Sequence, residues 1–246
     1  MKVLVIGDSC TDVFKFGTVK RIAPEAPVPI IVPNREMSNK GMAGNVVENL
    51  KALNIEVDFI TNVSPITKTR YVCERYNQII LRVDNDDRCE RIKIDTTLTT
   101  IPWEDYTAVV ISDYCKGFLT EEDIKYISQS HPLTFLDTKK ILGEWAYGIK
   151  FIKINNTEYQ NNLDALENHS ILLDKIITTK GPYGCIYQRK TYPTKEVPVK
   201  DVSGAGDTFL AGLVTKYIKT KDIIQAIKFA QECTTVVVQK PGVSTI

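Results

Sequence analysis

The chain has 246 residues, 43% of them hydrophobic, which is enough to bury the core of one α/β domain of ordinary size. Its 31 basic and 30 acidic residues are interleaved and leave a formal charge of +1, so no field favours nucleic acid or an anionic membrane surface. Six cysteines (Cys10, Cys73, Cys89, Cys115, Cys185, Cys233) form no Cys-x-x-Cys pair, and Cys10, Cys115, Cys185 and Cys233 sit among apolar or small residues, which predicts reduced structural thiols rather than disulfides or zinc ligands.

Residues 3–6 are a continuous apolar run suited to a strand buried on both faces. The run is too short for a signal peptide, and no stretch reaches the length of a membrane span, so a cytoplasmic protein is expected. Residues 13–35 carry Pro24, Pro27, Pro29 and Pro33 among extended apolar residues. Proline belongs on sheet edges or in loops, so this segment predicts part of a small separate sheet acting as a lid, the alternative being an edge extension of the main sheet. A helix at about 43–53 and a strand at 57–60 follow, and 68–83 reads as two further strands around Tyr76, Asn77 and Gln78. The lid is therefore assigned to about 13–35 and 66–83. Strands at 109–111, 133–136, 151–154 and 176–179 then alternate with helices at about 120–130, 157–168, 206–219 and 221–238. This order predicts an α/β fold, a doubly wound and mainly parallel sheet flanked by helices, in one domain spanning 1–246. Ligands bind such sheets beyond the strands' carboxyl ends, where Asp8, Asp113, Asp137 and Asn155 all fall.

Residues 201–208 read DVSGAGDT and run directly into an apolar helix. A glycine-rich turn at a helix N-terminus offers backbone N–H groups and the positive end of the dipole to a phosphate. Asp207 would repel that phosphate unless it had another task, and deprotonating an attacking hydroxyl is the obvious one. An ordinary N-terminal turn whose acid complements the dipole is the alternative.

With these residues the chain resembles the ribokinase-like (PfkB-type) carbohydrate kinases, whose signature matches 201–208 closely. Within that family it looks most like the D-glycero-D-manno-heptose 7-phosphate kinases, the kinase domains of bifunctional enzymes of ADP-heptose synthesis. Further matches are Gly7, Asp8 and Asp12; the Pro-rich segment 21–29; Ile66, Thr67, Lys68 and Arg70; Ser112 to Tyr114 with Lys116 and Gly117; and residues 242–246. The resemblance implies in-line transfer from ATP, with Asp207 as general base and the amides of Gly204, Ala205 and Gly206 stabilising the moving phosphoryl group. It implies sugar contacts at Asp8, Asp12, Gly41 and Asn45, and a substrate phosphate gripped by Lys68, Arg70 and Lys116. Lys139, Asn155, Thr179, Gly181 and Gly184 match nucleotide-binding positions, and Asn155 with Glu158 matches a motif that positions magnesium, largely through water. Read alone, Asn155 and Glu158 are more simply a helix cap with a first-turn acid. A homodimer through the lid is expected, since a small apolar flap is unstable alone. The expected partners are sugar or sugar phosphate and ATP; a monovalent-cation requirement stays open.

Two departures stand out. The family has a second glycine where this chain has Met42, and only four residues, 61–64, connect the strand at 57–60 to the lid where relatives carry a helix and a further strand. Both put the sugar specificity in question. A non-catalytic binding protein of the same fold is the reading from another class.

Overall fold

The continuous apolar run at the start of the chain forms a strand buried on both faces. In this computed structural model, which describes residues 1–93, 97–240, 242 and 244–246, Val3 and Val5 pack into one core cluster while Leu4 and Ile6 pack into another on the opposite face. Val243, one of the residues carrying the resemblance, lies outside the described residues.

The first half of the chain contains β1 (Lys2–Gly7), β2 (Ser9–Ile22), β3 (Pro29–Met42), α1 (Ala43–Ala52), β4 (Glu56–Ile60), β5 (Thr67–Cys73), β6 (Gln78–Asn85) and β7 (Ala108–Asp113). The second contains α2 (Glu121–Ser130), β8 (Thr134–Thr138), β9 (Phe151–Asn155), α3 (Asn156–Asn161), α4 (Leu163–Asn168), β10 (Ile176–Thr179), β11 (Cys185–Tyr187), β12 (Lys190–Tyr192), α5 (Ala205–Thr220) and α6 (Ile223–Val237). Eight strands form the main sheet in the order β12-β11-β10-β9-β8-β7-β1-β4, parallel from β4 to β10 and antiparallel in the closing hairpin. Helices α1, α5 and α6 cover one face through Val46, Leu210, Leu213 and Ile227, and α2 covers the other through Ile124 and Ile127. Each such fully buried side chain contributes about 1.5–3 kcal/mol of transfer free energy.

The remaining strands form a separate four-stranded sheet, β3-β2-β5-β6, so the reading of 13–35 as an edge extension does not hold. Its strands β2 and β3 extend beyond the predicted limits, to Ser9–Ile22 and Pro29–Met42, with register shifts at Phe16/Gly17 and Val19/Arg21.

Three further expectations change. The helix predicted at 157–168 is two helices, because Asn162 turns at φ −100° and ψ 0° and its side chain accepts from Leu142 N (2.6 Å) and donates to Glu158 O (2.8 Å). The β11–β12 hairpin extends the main sheet beyond the last predicted strand. Cys115 is exposed rather than enclosed, while Cys10, Cys185 and Cys233 are buried; all six cysteines are free.

Candidate active site

Asp207 lies in the first turn of α5, 3% exposed. Gly204 caps that helix with φ +79° and ψ 0°, a left-handed conformation that glycine adopts without a side-chain penalty. One Asp207 oxygen accepts from the Tyr114 hydroxyl at 2.6 Å and the other from Asn45 Nδ2 at 2.9 Å. Asn45 belongs to α1 and is braced by Asn49, whose Nδ2 donates to Asn45 Oδ1 at 3.1 Å and whose Oδ1 accepts from Thr208 Oγ1 at 3.3 Å. The i,i+4 pair of asparagines thus links the start of α1 to the start of α5. Burial pushes the Asp207 carboxyl up from 3.8 to about 6, the bonds from Tyr114 and Asn45 opposing the rise. A carboxylate titrating there can accept a proton near neutral pH and still release it.

The loop at the helix mouth meets expectation only partly. The Ala205 N–H donates to Val202 O at 3.1 Å, so the turn itself consumes one of the three amides assigned to the phosphoryl group. Beneath Gly206 lies a lysine that the sequence reading missed: a Cβ added at Gly206 would sit 2.8 Å from Lys153 Nζ. Lys153 and Asp137 form a buried ion pair of 2.7 Å. Burial pulls the Lys153 ammonium down, but the attraction of Asp137 more than offsets it and keeps the lysine charged.

Around this pair opens a cavity of about 710 Å³, lined by Asp113, Tyr114, Lys139, Asn155, Glu158, Thr179 and Gly181 among others. A mainly apolar cavity of about 400 Å³ adjoins it, sharing Thr179, Gly181 and Gly206 and adding Gly184, Phe209 and Val238. The predicted nucleotide positions therefore converge on one edge of the sheet, with a polar chamber next to an apolar one. Asn155 and Glu158 do form a capping box, Glu158 N donating to Asn155 Oδ1 (2.9 Å) and Asn155 N to Glu158 Oε2 (2.7 Å). The other Glu158 oxygen faces Lys139 at 3.6 Å. Asp113, Asp137 and Glu158 are each paired with a lysine (Lys140, Lys153 and Lys139), and among the described residues no group of three or more acidic, His or Cys side chains stands together to hold a metal directly, so the chamber fits magnesium only as an ion that keeps most of its waters.

The residues assigned to the sugar divide into two groups. Asp8 is a correction: it is 0% exposed and its oxygens accept from the backbone N–H groups of Tyr114 (2.8 Å), Lys116 (3.2 Å) and Phe118 (3.2 Å), so it anchors that turn rather than facing a substrate. Asp12 and Gly41 lie against one another on the paired strands β2 and β3. Asp12 is ion-paired with Arg70, and Lys116 with Asp87 at 2.6 Å. Lys68 stands apart: it is 8% exposed, and the hydrogen bond it makes goes to Met42 Sδ at 3.3 Å. Neither His131, which bonds the Tyr106 and Leu133 carbonyls, nor His169 enters the site.

Tyr114, Asn49 and Lys153 are the contributors that sequence reasoning did not assign. Asn49 carried a signal, an amide one turn after Asn45 and so on the same helix face, as did Lys153, a charge inside an apolar strand. Tyr114 lies in a stretch that carries the resemblance, but nothing in the sequence pointed to its partner, 93 residues away.

Comparison with known proteins finds relatives in sequence and in fold. Residues 143–246 match the pfkB family carbohydrate kinase. The chain is 31% identical over 291 positions to the bifunctional protein HldE of a Nitratiruptor species, covering 99% of this chain and 63% of that protein. It is 28% identical over 294 positions to the bifunctional protein HldE of Pasteurella multocida, covering 100% of this chain and 61% of that protein. The chain thus spans about three fifths of the length of these curated relatives. Both alignments are longer than the chain itself, so the relatives carry extra residues within the aligned region. Among solved structures, a ribokinase from Thermotoga maritima superposes with a TM-score of 0.72 at 13% identity, covering 98% of this chain and 94% of that one. The ribokinase of Arabidopsis thaliana complexed with ribose and ATP gives 0.70 at 14% identity, covering 98% and 93%. These likenesses establish a ribokinase-like α/β fold.

Proposed function

We propose, from the match of residues 143–246 to the pfkB family of carbohydrate kinases and from the ribokinase-like fold, that the chain transfers the γ-phosphoryl group of ATP in line to a sugar hydroxyl, with Asp207 as general base. The observation that carries this reading is the buried Asp207 carboxyl, pushed up to about 6 at the mouth of α5 and aimed by Tyr114 and Asn45. An acceptor hydroxyl placed between Asp207 and the cavity beneath the 204–206 loop loses its proton to Asp207 as its oxygen attacks. The apolar cavity suits an adenine ring and the polar one its phosphates, with Lys153, Lys139 and the amides of Gly204 and Gly206 as countercharge. Magnesium, held through Asn155 and Glu158 by water, would neutralise phosphate charge there.

The acceptor we favour is D-glycero-D-manno-heptose 7-phosphate, converted at its anomeric hydroxyl to the 1,7-bisphosphate. Support comes from the similarity to the HldE proteins across the whole chain and from the Pro-rich segment 21–29 and the 66–70 stretch of the small sheet, which would then serve as a lid over the sugar. Met42 and the short 61–64 connection favour a second reading, a different sugar or sugar phosphate in the same chemistry. Phosphorus NMR of products formed from Mg-ATP and a panel of heptose, hexose and pentose phosphates, with the free sugars, separates the two. An anomeric phosphate on heptose 7-phosphate alone is expected; product from another sugar only would replace the acceptor and keep the mechanism.

A further inference from the structure

Met42 ends β3 with φ +57° and ψ −133°, a backbone conformation that favours glycine, yet it carries a long side chain that is 4% exposed and packs with Cys10 and Ile66. Its sulfur accepts from the Lys68 ammonium at 3.3 Å. Among the described residues Lys68 has no carboxylate within ion-pair distance, whereas Arg70 is taken by Asp12 and Lys116 by Asp87. A thioether is a weak acceptor, and a buried ammonium with nothing better is short of an anion. The ammonium stands 6.0 Å from the centre of the Tyr114 ring, whose hydroxyl holds Asp207, so Lys68 and the base flank one tyrosine.

We propose that Met42 is a specificity-determining positioning residue: its thioether seats the Lys68 ammonium in the empty site, and the phosphate of a phosphorylated acceptor sugar takes the thioether's place. The inference rests on the sugar-kinase reading above and narrows its acceptors to sugar phosphates. A glycine at position 42 would relieve the backbone but leave Lys68 without a seat, so the ammonium would have to be ordered by each incoming substrate.

Acceptor-dependent ADP release from wild type, Met42→Gly and Met42→Leu, with each sugar phosphate and its unphosphorylated counterpart, tests this. The leucine variant keeps the bulk and lacks the sulfur. In both variants the preference in kcat/KM for the phosphorylated acceptor should fall about tenfold, through KM, with kcat held within about twofold. A readout free of turnover is the rise in melting temperature produced by inorganic phosphate, which should need about ten times more phosphate in either variant than in wild type. Equal losses on both members of each pair, an unchanged preference in both variants, or identical phosphate responses would overturn the proposal. Wild-type protein that turns over no sugar would remove the kinase reading instead, and the phosphate titration would then decide the role of Met42.

Discussion

At the scale of single residues, the burial of Asp207 ties function to a loss of stability. Because burial raises its folded-state pKa from 3.8 to about 6, the folded protein binds the proton more tightly than the unfolded chain between those values. Stability therefore falls as pH rises from about 4 to about 6, and at neutral pH the ionised carboxylate destabilises the fold by about 1–3 kcal/mol. Asp207→Asn should lower kcat by about 10²–10⁴-fold, leave ATP affinity near wild type, and raise the melting temperature at pH 7.5. Melting curves and single-turnover kinetics on one preparation read both effects; a destabilised variant with near wild-type kcat would contradict them. The same carboxyl sets an acid limb near pH 6 in kcat/KM. Tyr114→Phe removes a bond that holds the carboxyl down, so the limb should move to higher pH, which a pH–rate profile checks. Asp207 was legible because an acid in a phosphate-binding turn is out of place. Tyr114 and the loss of Asp8 to the turn at 114–118 were not, since both depend on which backbone groups the fold brings within hydrogen-bond reach.

At the scale of elements, periodicity gave the parallel strands and α1, α2, α5 and α6 nearly to the residue. It failed at 157–168, where the side chain of Asn162 is claimed by Leu142 from another part of the chain. A charge in strand β9 is the element-level feature with the largest expected effect. Lys153→Met would strand the Asp137 carboxyl, which burial already pushes up, without its partner, at a cost of about 3–5 kcal/mol. Urea melts should show that loss, and a double variant that also changes Asp137→Leu should recover much of it. The small sheet leaves Leu81 and Val83 exposed on alternate positions of β6, hence on one face. We propose that two copies pair through this sheet. Sedimentation at micromolar concentration should find a dimer, and Leu81→Lys should shift it toward monomer; a wild-type monomer would reject the pairing.

On the scale of the whole molecule, the short connection at 61–64 leaves β4 as the outer strand of the main sheet. Asp58 ties that strand to its inner neighbours, receiving Lys2 Nζ at 2.8 Å and the Tyr106 hydroxyl at 2.7 Å. The shortening lies far along the sheet from β9 and β10, which line the 710 Å³ cavity proposed to hold the nucleotide phosphates. No helix among the described residues is long and apolar enough to cross a membrane. The central claim, Asp207-dependent phosphoryl transfer to a sugar, is met most directly by acceptor-dependent ADP release from Mg-ATP, comparing wild type with Asp207→Asn across the sugar panel. Turnover that requires both a sugar and Asp207 is the predicted result; a background the same with and without sugar, and unchanged in the variant, would contradict it.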